Sequence, residues 1–149
     1  MSRMTSRPMI ALSVFVVLVL AAWLVIARAP FYLPAYDDNA PPLPEGDSYV
    51  FGFATLRNPV VRFVVIGRPV PAQEATLRGF SREHRDLRDA PDMLLPGVRF
   101  RVSPEEMRRL DRYEQTGRRY RRDLLPLEDG SVAWVYRLIG EQGIDALQD

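Results

Sequence analysis

The chain has no cysteine, no lysine and a single histidine, His84. The missing cysteines exclude disulfides, thiolate nucleophiles and cysteine-ligated metals in one step. A lone histidine cannot assemble a metal cluster, and no motif around His84 makes it the base of a serine triad. The expected site therefore uses no metal and no cofactor. An excess of one charge is missing too. All 20 basic residues are arginine, they face 19 acidic residues, and the formal net charge is +1. Residues 1–29 contain three of those arginines, and the remainder has 17 basic and 19 acidic residues. A nucleic-acid reader needs a net basic face, so no nucleic-acid partner is expected. The 149 residues suffice for one ordinary domain and contain no internal repeat.

One long uncharged run is present: Met9 to Ala27, "MIALSVFVVLVLAAWLVIA", 19 residues. At about 1.5 Å per residue it nearly matches a hydrocarbon core of about 30 Å. A cleaved signal peptide is the other reading, with Ala27, Arg28 and Ala29 mimicking a cleavage site. The run exceeds the usual signal core of roughly 7–15 residues, and Pro30 would follow the cut. A single transmembrane helix over 9–27, held in the lipid bilayer, is therefore favoured. Arg3, Arg7 and the N-terminal amine precede it, and Arg28 follows. That bias places residues 1–8 in the cytoplasm and the C-terminal domain in the periplasm or another extracytoplasmic space. Residues 28–48 contain five prolines and read as an extended linker. Its Phe31, Tyr32 and Tyr36 either line the membrane interface or pack on the domain.

The folded domain is expected over 49–140, with a tail at 141–149. Tyr49 to Thr55 reads as an aromatic-rich strand. In "NPVVRFVVIG", Asn58 offers an N-cap and Pro59 suits the first helical position, so a short helix is favoured despite the β-branched content. Residues 73–80 suggest a strand, and residues 81–96 read as a loop. "GVRFRVS" alternates Val98, Phe100 and Val102 against Arg99 and Arg101, the pattern of a half-buried strand. "SPEEMRRLDRYEQTG" is the clearest helix: Ser103 and Glu106 form a capping box, Pro104 starts it and Gly117 stops it. Residues 120–139 read as two strands joined at Asp129-Gly130.

On that helix Met107 and Leu110 mark the buried stripe. Glu114 lies seven and four residues further on and shares the stripe; Asp111 lies near it. Arg108, Arg109 and Arg112 fall on the other faces and read as solvated. An inward carboxylate near a helix end is either bonded to an arginine or to backbone, or it is a base whose pKa burial raises.

The order of segments resembles the gamma-glutamylcyclotransferase-like superfamily, including its AIG2-like and gamma-glutamylamine cyclotransferase branches. The resemblance rests on "YVFGFATLRNP", "GVRFRVS", "LDRYEQTGRRYRR" and "AWVYRL" and spans roughly residues 49–138. The family's Leu-Asp-x-x-Glu motif stands intact as Leu110, Asp111 and Glu114, with Tyr120 and Arg121 after it. Its Tyr-Gly-Ser/Thr-Leu strand end stands as Phe53, Ala54, Thr55 and Leu56, with Phe for Tyr and Ala for Gly. The resemblance implies an α+β domain, a mixed β-barrel flanked by helices. It implies a γ-glutamyl small molecule as substrate, cyclised to 5-oxoproline with release of an amine. Glu114 would be the general base, and residues 53–56 would hold the substrate largely through backbone groups. Tyr120 either lines that pocket or packs in the core, and Arg57 either meets a substrate carboxylate or is simply exposed. The alternative is a non-catalytic domain of the same fold, acting as an accessory subunit of a membrane protein complex.

Overall fold

A computed structural model describes residues 6–28 and 32–140. The termini 1–5 and 141–149 and residues 29–31 lie outside the described residues, and with them the expected tail, Phe31 and part of the cleavage-site motif. The apolar run forms α1 (Ser6–Arg28), whose side chains are described from Met9 to Val25. Among the described residues no helix is long and apolar enough to cross a membrane.

Strand β1 (Ser48–Gly52) leads into a 3₁₀ turn at Thr55–Arg57 and then into α2 (Pro59–Ile66). The Asn58 side chain accepts from the Val60 amide at 2.8 Å, so the N-cap acts as read, and Gly67 at φ 88° ends the helix. Strands β2 (Ala72–Glu83) and β3 (Asp86–Val102) form one long antiparallel hairpin. This corrects the loop expected over 81–96. That segment lacks a period because the outer arms are mostly exposed, and a register shift between Arg78 and Phe80 breaks the alternation. Helix α3 (Pro104–Glu114) carries the complete capping box: Ser103 N donates to Glu106 Oε2 at 2.8 Å, and Glu106 N to Ser103 Oγ at 3.3 Å. Its stop is not Gly117 but Gln115, which takes φ 54°. Strands β4 (Tyr120–Pro126) and β5 (Val132–Leu138) form the second hairpin, with Gly130 at φ 81° in its turn.

The sheet runs β2-β3-β1-β5-β4, antiparallel except for the β1–β5 pair. Its two edges meet, because Leu77 bridges Leu127 and the Glu128 amide donates to Thr76 O at 2.9 Å. The result is the expected α+β architecture, a mixed sheet curled towards closure with helices on one side. Phe51, Leu77, Leu95 and Val135 fill one face, while Val50, Phe100 and Val102 pack with Met107 and Leu110 of α3 on the other.

Residues 32–47 are not a free linker. Leu33 is buried, and Leu43 packs against the helix-side core. Tyr32 donates its hydroxyl to Val64 O, and the Arg108 guanidinium lies 4.9 Å from the Tyr36 ring centre, so both tyrosines pack on the domain. Arg112 donates to the Pro34 and Leu33 carbonyls at 2.6 and 3.0 Å. Arg122 donates to the Pro41 and Pro42 carbonyls at 3.1 and 3.0 Å. The expected solvation holds for the exposed Arg108 and is corrected for Arg112 and for the half-buried Arg109, which donates to Ile66 O at 2.8 Å. A proline-rich strand offers carbonyls and few amides, and guanidinium forks are the donors that match it.

Candidate active site

The site begins where β1 runs out. A Cβ on Gly52 would stand 2.9 Å from the Leu56 carbonyl carbon, so only glycine lets the turn fold back this closely. The buried Arg62 side chain then fixes the turn, donating to the Leu56 and Arg57 carbonyls at 2.9 and 2.8 Å. Among the described residues, the amides of Phe53, Ala54, Thr55 and Leu56 find no backbone acceptor. Ala54, standing where the related motif has glycine, sits at φ −117° and ψ −115°, outside the left-handed region that would demand glycine.

Opposite this turn stands the end of α3. Glu114 is the last residue of the helix, and the left-handed Gln115 turns the chain away. One cavity of about 230 Å³ is lined by Phe53, Ala54, Thr55, Leu56, Glu114 and Tyr120, while Leu110, Asp111 and Arg121 of the motifs lie outside its lining. Arg85, Tyr113, Gln115, Arg119 and Tyr136 complete it, together with Phe51 and Gly52. Arg57 is absent from this lining and faces Glu74 at 3.7 Å.

Glu114 is half-buried and makes no hydrogen bond or ion pair among the described residues. Burial raises its pKa from 4.5 to about 7, against the opposing charges of Arg119 and Arg85. Burial and the neighbouring Glu114 charge raise the Tyr120 phenol, which therefore stays protonated near neutrality. Tyr136 is held protonated even more firmly, by burial and by Asp111.

Asp111 is the more deeply buried acid of α3, at 1% exposure. Its Oδ1 accepts from Tyr136 Oη at 2.8 Å and from Thr116 Oγ1 at 3.4 Å, and Arg122 Nε lies 3.7 Å away. Burial raises its pKa, and Arg122, Tyr136 and Thr116 pull it back. Asp111 is thus committed to a buried network, while Glu114, one turn on, is left facing open space. Helical spacing places both acids on the inner stripe but cannot tell which one has partners. Arg85 was missed outright, because the turn that presents it was read as structureless.

Residues 50–148 match the family described as gamma-glutamyl cyclotransferase, AIG2-like. The chain belongs to that family. Two solution structures from Arabidopsis thaliana share its fold. At3g28950.1 has a TM-score of 0.56 at 16% identity, covering 68% of each chain. At5g39720.1 has a TM-score of 0.53 at 21% identity, covering 70% of this chain and 75% of its own. No curated protein matches. Family membership supports a gamma-glutamylcyclotransferase-like function in general, on a cavity that lies between the family's two motifs.

Proposed function

We propose that the protein cyclises a γ-glutamyl group to 5-oxoproline and releases the attached amine, with Glu114 as general base. The observation that carries this reading is a partnerless Glu114, pKa about 7, in one cavity with the free amides of residues 53–56.

The attacking amine and the carbonyl it attacks already belong to one molecule, so the protein's task is to hold a folded conformer. An α-ammonium has a pKa near 8, so proton transfer to Glu114 is uphill by only about 1.4 kcal/mol. The freed amine then adds to its own γ-carbonyl. The resulting oxyanion needs donors that require no reorganisation, and the turn amides supply them. As the C–N bond breaks, protonated Glu114 returns the proton to the departing amine. The Tyr120 hydroxyl, held protonated, is a further donor at the cavity wall.

Incubating the full chain with a panel of γ-glutamyl dipeptides and γ-glutamylamines should yield 5-oxoproline. Glu114→Gln should lower that turnover by roughly 10²–10⁴-fold, the range of a lost general base. Absence of 5-oxoproline across the panel would sink the proposal.

The tethering of this activity to a membrane is also part of the proposal. Residues 9–27 carry no charge, α1 continues that run as 23 helical residues, and apolar side chains from Met9 to Val25 lie exposed along it. Recovery of the full chain in the membrane fraction after alkaline extraction is the expected result; release into the supernatant would refute the anchor.

A further inference from the structure

Helix α2 has its polarity reversed. Its one charged side chain, Arg62, points inward, is 5% exposed and donates to the Leu56 and Arg57 carbonyls. Its outward positions are apolar: Val60 is 65% exposed and Val64, one turn on, is 41% exposed. Phe63 beside them is half-buried and joins neither core cluster among the described residues. The inner side already belongs to the core through Val65 and Ile66. A helix that is apolar all round is one covered on every side, so the outer face of α2 suits a second apolar surface.

The end of α2 is prepared for such a cover. A helix leaves its last four carbonyls without intrahelical donors, and water commonly supplies them. Here two side chains reach across instead. Tyr32 Oη donates to Val64 O, and Arg109 Nη1 donates to Ile66 O at 2.8 Å. Carbonyls satisfied in this way can leave water at little cost.

The neighbouring α1 indicates what the cover is. Cα atoms of α1 and α2 come within 8 Å of one another. The side chains of α1 are nevertheless exposed all round from Met9 to Val25, so α1 does not bury itself on α2. Residues 9–27 carry no charge and offer no polar seam that would single out one protein-facing stripe. A helix of that kind is matched by lipid, and the outer face of α2 adjoins it. Arg57 and Arg68 frame that face at the two ends of α2, beside the carboxylates of Glu74 and Glu106. Arginine stems can lie along an apolar surface while their heads stay among polar headgroups.

We infer that the outward face of α2, formed by Val60, Phe63 and Val64, rests in the headgroup–acyl boundary of a phospholipid bilayer, as a second contact beside α1. It relies on the proposed tether only to bring the domain to the lipid. Arg62 ties this helix to the turn that carries Leu56, so the element resting on lipid also fixes one wall of the cavity.

The natural chain has no cysteine, so one substitution gives one thiol. Full-length Val60→Cys, Val64→Cys, Leu18→Cys and Met93→Cys variants are labelled with an environment-sensitive nitrobenzoxadiazole dye. All four positions are exposed, so the labels leave the core untouched. Each variant is reconstituted into vesicles of equal parts phosphatidylcholine and phosphatidylglycerol. Phospholipid with a nitroxide high on its acyl chain then quenches dyes at the depth of roughly 5–10 Å that an interfacial apolar face reaches. The Val60 and Val64 labels should be quenched severalfold more strongly than the Met93 label on the outer β2–β3 arm. Quenching of Val60 and Val64 no stronger than that of Met93 would overturn the docking, and the Leu18 label then shows whether the tether stands. Strong quenching at Val60 and Val64 without quenching at Leu18 would remove the tether and keep the docking. A blue-shifted Val60 label that the nitroxide does not quench, and that reverts when the chain is diluted in lipid, would give the face to a second copy and overturn the lipid contact.

Discussion

At the scale of single residues, Glu114 shows the conflict between stability and function most directly. Its folded pKa of about 7 lies above the ordinary 4.5. Below about pH 4.5 the group is protonated in both states and costs nothing. Between 4.5 and 7 the unfolded chain ionises first, so the folded state loses stability as pH rises. Above 7 the full penalty applies, on the order of 3 kcal/mol. Glu114→Gln should therefore be more stable than the natural chain at pH 8, with the difference fading towards pH 4.5. Denaturant titrations at both pH values check this, and a variant that is less stable at pH 8 would contradict a desolvated carboxylate. Activity should run the other way: kcat/KM of the natural chain should rise with pH through about 7 as the base ionises. Helical register was enough to single out this residue. It was not enough to separate Glu114 from Asp111, because both lie on the inner stripe. Partners decide between them, and partners such as Tyr136 and Arg122 come from strands distant in sequence.

At the scale of elements, α3 was legible because its start is written locally. The Ser103–Glu106 capping box depends on neighbours three residues apart, and Glu106 gains a second, two-pronged contact from Arg68. Ser103→Ala should cost about 1 kcal/mol, read from the denaturation midpoint, since the Glu106 amide loses its acceptor. The helix's end was misread because its stop is the non-glycine Gln115 in a left-handed conformation, which leaves no compositional mark. The outer β2–β3 hairpin was missed for a related reason. Its turn uses His84 at φ 56° in place of a glycine or asparagine signal, and Pro91 and Pro96 sit inside β3. Proline normally argues against a strand; here Pro91 falls in the stretch 90–93 left unpaired by the register shift, and Pro96 is paired opposite Thr76 despite that local signal. This misreading also hid Arg85, which the turn presents to the cavity.

At the scale of the whole molecule, the proline-rich segment links α1 to the end of α3, the helix that carries Glu114. Gly117 lies so close to this strap that a Cβ would meet the Ala40 nitrogen at 2.7 Å, and at φ 93° no other residue is comfortable. Arg118 faces Asp37 across the same contact at 3.7 Å. Arg122 is the deepest tie. Its side chain has no exposure, it stacks 4.8 Å from the Trp134 ring centre, and it supplies the only guanidinium within ion-pair distance of Asp111 among the described residues. Removing the strap takes the Pro41 and Pro42 carbonyls from Arg122 and opens a path for water to the Asp111 network. A chain lacking residues 1–43 should therefore unfold at lower denaturant than one lacking residues 1–31, which keeps the strap and loses α1. The deficit should reach a few kcal/mol, because each unmet hydrogen bond at a buried charged group costs about 1–3 kcal/mol. Equal midpoints would mean that the strap merely lies on the domain. A deficit would make residues 32–43 part of the folding unit, set beside the end of the helix that holds Glu114, and would explain why a segment that looks like a spacer is tied down by four arginines, Arg108, Arg112, Arg118 and Arg122.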